Sequence, residues 1–87
     1  MKLIKKPIEV IALHTVDGTI IPIKFKHTDN VGNEKVVKID SILEQNSQCF
    51  TGTKIITYKC QGAVDEDYRL CEIKYEPMTG KWILYKM

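Results

Sequence analysis

An 87-residue chain with 44% apolar and 28% charged residues suits one folded domain, being too apolar for disorder and too interrupted by charge for a membrane span. A domain this small buries about 60 to 65% of the surface its unfolded chain exposes, so its core is limited and its stability modest. The formal net charge of +2 does not by itself announce a nucleic-acid partner, and Arg69 is the one arginine among thirteen basic residues, which argues against bidentate reading of duplex bases.

Residues 1–6 carry lysines but neither the apolar stretch nor the small-residue cleavage site of a secretory signal, and they are expected to form a flexible or loosely attached N-terminus. The longest apolar stretches, at 10–13 and 19–23, fall far short of the roughly 20 residues of a transmembrane helix, so no membrane partner is expected. Three widely spaced cysteines, Cys49, Cys60 and Cys71, suit reduced thiols better than a disulfide framework. The cytoplasm is the expected compartment.

Residues 7–14 read as a strand with apolar side chains on both faces, and Asp17-Gly18 after it marks a hairpin turn. In the next strand Ile21, Ile23 and Phe25 alternate with Pro22, Lys24 and Lys26, which points the first three inward; Pro22 lacks an amide donor and places this strand at an edge or a bulge. Asp29 to Asn33 supplies a turn, and β character resumes through Val36, Val37 and Ile39. Residues 40–52 admit two readings. Ser41-Ile42-Leu43-Glu44 has the spacing of a capping box, but Gln45-Asn46-Ser47-Gln48 would end a helix at once, which favours a strand or bulged strand. Residues 53–60 form a further strand and 61–67 a loop with an acidic tip at Asp65, Glu66 and Asp67. The last two strands, 68–75 and 81–87, fold about Pro77-Met78-Thr79-Gly80. About six antiparallel strands without a covering helix predict a single all-β domain, a small SH3-like or related open barrel.

No spacing in the chain marks a metal site, a nucleophile with its base or a phosphate-cradling glycine loop, so no catalytic residue, metal or cofactor is assigned and no small-molecule substrate is evident. His14 and His27 fall at separate strand ends. Cys60 and Cys71 flank the acidic loop at distances that would set them across from one another. The lysines Lys24, Lys26, Lys35 and Lys38 are candidate contacts to a phosphate backbone, although lysine also guards exposed strands against aggregation. Trp82, set between lysines, is either a core residue or a base-stacking platform. In the last strand Trp82 and Leu84 oppose Ile83 and Tyr85, and the first strand likewise divides Ile8 and Val10 from Ile11 and Leu13. The surplus makes Ile11, Leu13, Trp82 and Leu84 a candidate interface for a protein partner or a homodimer.

The stretches PIEV, DGTIIPIKFK, VVKIDSIL and YRLCEIKYEPMTGKWILYKM, which carry Glu9, Phe25, Ile39, Tyr68, Tyr75, Gly80 and Trp82, resemble a small bacterial β-domain family without an assigned activity that occurs beside error-prone Y-family DNA polymerases. The likeness runs over residues 7–87, with lysine here where that family's arginine and tryptophan would stand. The resemblance implies an accessory role in DNA repair or translesion synthesis, through contact with a DNA polymerase or with DNA. The expectation is a non-enzymatic binding module. Its rival is a protein-interaction or homodimerising module that touches no nucleic acid.

Overall fold

Seven strands and no helix make up the computed structural model, which describes residues 1–87. They are β1 (Leu3–Ile8), β2 (Val10–His14), β3 (Ile20–Thr28), β4 (Glu34–Phe50), β5 (Thr53–Val64), β6 (Asp67–Glu76) and β7 (Lys81–Lys86). All pairings are antiparallel, in the order β1-β7-β6-β5-β4-β3-β2. Only Glu9 separates β1, at one edge, from β2, at the other, and its carbonyl accepts the Lys26 N–H at 3.1 Å. One bent N-terminal segment therefore joins the two edges and curls the sheet into an open half-barrel. The strand count exceeds the expected six because this segment breaks at Glu9.

Turn chemistry explains the links. Thr51 and Gly52 both have positive φ, 46° and 84°, as a two-residue hairpin turn whose twist matches its strands requires. Gly80, at φ 71°, closes the last turn by donating to the Glu76 carbonyl at 2.8 Å. The expected loop at 61–67 shrinks to Asp65 and Glu66, since β5 continues through Val64 and pairs it with Asp67.

Inward residues of five strands form the core: Phe25, Val37, Ile56, Tyr58, Cys60, Cys71, Ile73, Tyr75, Trp82 and Leu84, with Met87 beyond the last strand. Trp82 lies between two tyrosines, its ring centroid 4.5 Å from that of Tyr75 and 5.8 Å from that of Tyr58. Offset aromatic contacts of this kind add about 0.5 to 1.5 kcal/mol each beyond area burial. Gly62 belongs to the same packing, because a Cβ there would stand 2.5 Å from Val37 Cγ1.

Two sequence expectations give way here, and one open reading is decided. Residues 1–6 are not loosely attached: Lys2 and Met87 exchange backbone hydrogen bonds at 2.9 Å, and β1 pairs with β7, absorbing a bulge at Lys5, whose φ is 54°. Of Ile21, Ile23 and Phe25 only Phe25 points inward: Ile21 pairs with Leu13, which is 53% exposed, and shares its outer face. Ile11 pairs with Lys24 and Ala12 with Pro22, so Ile23 is the extra residue of a bulge; Pro22 is buried and Ile23 exposed. Bulging is what the missing amide of Pro22 foreshadowed. Finally, residues 40–50 hold no helical turn. β4 runs on to Phe50 through register shifts that leave Asp40 and Leu43 unpaired, so the bulged strand is the reading that stands.

Candidate nucleic-acid interface

Strand pairing carries one row of side chains across the convex side of the sheet. Ile11 pairs with Lys24, Lys24 with Lys38, Lys38 with Ala63, and Ala63 with Tyr68, so these five residues share a face on five successive strands. A second, shorter row pairs Lys26 with Val36. Ile11, Val36 and Tyr68 are 58%, 49% and 63% exposed, which identifies this face as the outer one. A shallow groove of about 360 Å³ lies along it, lined by Glu9, Ile11, Lys24, Lys26 and Val36.

Two lysines directly opposite one another destabilise a sheet, and Lys24 and Lys38 have no carboxylate partner. The ion pairs of the structure are Lys35 with Asp65 at 3.1 Å and Lys59 with Glu44 at 3.2 Å, both exposed enough to contribute little to stability. Lys24, Lys26 and Lys38 thus form an uncompensated basic face with exposed apolar and aromatic neighbours, an arrangement able to meet successive phosphates of a strand.

Lys35 does not belong to it. It pairs with His27, one residue out of phase with Lys26 and Val36, and so stands on the inward-facing side, where Asp65 holds it. The expected set of four lysines is a set of three, because strand alternation puts neighbours at odd spacing on opposite faces.

The apolar candidates divide in the same way. Ile11 and Leu13 are exposed at 58% and 53%, while Trp82 and Leu84 are 8% and 0% exposed and fill the barrel. The proposed surface of all four therefore does not exist as one patch, and Trp82 offers no stacking platform. Opposite Trp82 and Leu84, the outward residues Ile83 and Tyr85 stand with Phe50 and Ile55 around a groove of about 280 Å³, and Lys74 Nζ lies 4.2 Å from the Tyr85 ring centroid.

Cys60 and Cys71 are direct cross-strand partners, both buried, whereas Cys49 is exposed near the β4–β5 turn. The Cys60 thiol is pushed up first by its hydrogen bond with Cys71 and then by burial, which keeps it protonated rather than nucleophilic. His14 ends β2 and His27 is the last but one residue of β3, and no three His, Cys, Asp or Glu side chains gather where they could hold a metal ion.

Sequence reading missed the mouth of the barrel. There Lys6, opposite Leu84, Lys35, opposite His27, and Arg69, opposite Gly62, occupy inward-phase positions. The signal lay in alternation: Arg69 shares its phase with Cys71 and Ile73, and charge in an inward register departs from the core pattern. Lys6 lies in the N-terminal segment, whose inward face exists only through its pairing with β7.

The fold and the outer face define a small open β-barrel with a basic convex surface. Set against known protein families, curated proteins and solved structures, the chain matches none.

Proposed function

We propose that this domain is a non-enzymatic binding module that contacts the phosphate backbone of DNA through Lys24, Lys26 and Lys38, as an accessory to DNA repair or translesion synthesis. The observation that carries the contact surface is the direct cross-strand pair of Lys24 and Lys38, a like-charge juxtaposition left without an acid to relieve it. The repair context rests on the resemblance to the family beside Y-family polymerases. Backbone contact without arginine at the face gives sequence-independent binding, because lysine meets phosphate as a point charge and lacks the fork that reads bases.

Fluorescence anisotropy of labelled single- and double-stranded DNA tests this reading. Three phosphate contacts predict a loss of affinity of about 40-fold for the duplex and about 20-fold for the single strand between about 50 and 200 mM salt. Absence of binding at the lower salt would move the assignment to the alternative, a protein-interaction or homodimerising module. The exposure of Ile11 and Leu13 on the edge strand β2 is the observation that favours that second reading.

A further inference from the structure

A cleft of about 390 Å³ opens at the barrel mouth, between β1, the end of β3 and the start of β6. Lys2, Lys6, His27 and Arg69 line it, with Asp29 as its one acid, while Asp65 and Asp67 line an adjoining cleft shared by His27 and Arg69. Asp29 is occupied elsewhere: its Oδ1 accepts the backbone N–H groups of Val31 and Asn33, both at 2.9 Å, and the turn holds its charge. Neither lysine nor the arginine joins an ion pair. The chain's single arginine, absent from the lysine face, is thus placed where its planar fork faces a cavity with two ammonium groups beside it.

His27 adds a second, independent observation. Its Nδ1 is buried without a hydrogen-bond partner, and the residue lines the cleft, so the ring carries unused hydrogen-bonding capacity there. Burial first, then Lys6, and also Arg69 oppose its protonation, while Asp29 favours it, so the ring stands within reach of both cations.

We propose that this mouth is a binding site for a phosphate group, held by Arg69 and Lys6 with Lys2 and His27 at its sides. A doubly charged, tetrahedral oxyanion offers several acceptors to donors arriving from separate strands, where a carboxylate offers two oxygens and a single charge. The volume leaves room for part of the molecule that carries the phosphate. The site lies apart from the Lys24, Lys26 and Lys38 face and does not depend on the DNA reading.

The test is NMR titration of the full chain, isotopically labelled, with inorganic phosphate at constant ionic strength. Saturable shifts confined to His27, Arg69 and their neighbours are expected. Arg69→Gln and, separately, Lys6→Gln should each weaken binding by about tenfold or more, as loss of a hydrogen bond to a charged group does. Lys24→Gln with Lys26→Gln should leave phosphate binding unchanged while lowering DNA affinity, so the two sites fail separately. A paired titration with 5′-phosphorylated and 5′-hydroxyl oligonucleotides identifies the source: a preference for the phosphorylated end, lost in Arg69→Gln, assigns the site to a nucleic-acid terminus. Equal binding of the two oligonucleotides beside saturable phosphate binding assigns it to free phosphate or a small ester. Diffuse shifts that do not saturate, or equal phosphate affinity in Arg69→Gln and Lys6→Gln, would overturn the proposal.

Discussion

The Tyr58 hydroxyl donates to the Ile20 carbonyl at 2.7 Å, joining β5 to β3 across the strand that lies between them in the sheet. β4 leaves β3 after the Lys24–Lys38 pair, so Ile20 has no β4 partner, and the tyrosine serves where the ladder has parted. Tyr58→Phe should lower stability by about 1 to 2 kcal/mol, the cost of a lost hydrogen bond and a carbonyl left poorly satisfied. Urea unfolding would show a lower midpoint at an unchanged slope. An unaltered midpoint would mean that water serves Ile20 equally well.

Trp82 connects the same hydroxyl-bearing ring to Tyr75 and the last strand. Trp82→Ala should cost about 3 to 5 kcal/mol, a large share of the roughly 5 to 15 kcal/mol available to a domain. The variant should be unfolded or close to it by circular dichroism at room temperature. A folded variant of equal stability would contradict the packing described.

How much of this was legible in the chain depends on alternation. Cys71, Ile73 and Tyr75 point inward as their spacing implies, and the all-β class followed from turns such as Asp17-Gly18 and Thr79-Gly80. Alternation fails where a bulge intervenes. One extra residue in β3 shifts the phase at Ile23, so that Pro22 takes the inward place and Ile21, opposite Leu13, faces out, and nothing in the local pattern announces the shift. Lys35 fails differently: composition groups it with Lys38, while a spacing of three puts the two on opposite faces. Trp82 and Ile83 could not be assigned to faces until the Tyr75 and Lys74 pairings fixed the register of β7.

Thiol reactivity should follow burial. With a maleimide or aromatic disulfide reagent at neutral pH, Cys49 should react at once, and Cys60 and Cys71 only when the chain unfolds. Peptide mapping after brief alkylation checks this. Rapid labelling of Cys60 or Cys71 in the native state would show that the β5–β6 pair opens to solvent.

Stability should also fall on mild acidification through His27. Partial burial, then Lys6, and also Arg69, lower its pKa from the ordinary 6.5, with Asp29 acting in the opposite sense. Lys2 and Met87 line the same cleft, while Lys35, Asp65 and Asp67 face the ring from β4 and the β5–β6 turn. Because the unfolded chain takes up this proton more readily than the folded one, the contribution is complete above pH 6.5 and is lost as the pH falls through the lower folded-state value. His27→Gln should flatten that part of the stability profile, measured by urea unfolding between about pH 7.5 and pH 5. An identical profile in the variant would place the acid sensitivity elsewhere.

The DNA-binding claim is tested most directly by the salt dependence of Lys24→Gln/Lys38→Gln. Both lysines sit on the outer face, so the variant should fold and, with the like-charge pair removed, unfold at a slightly higher urea concentration. In anisotropy titrations with duplex DNA across a salt series, the slope of log affinity against log salt should fall in magnitude by about 2, one for each contact removed. Affinity at low salt should drop on every DNA sequence tried. A variant that binds as the parent does, with the parent's salt slope, would show that this face does not meet DNA.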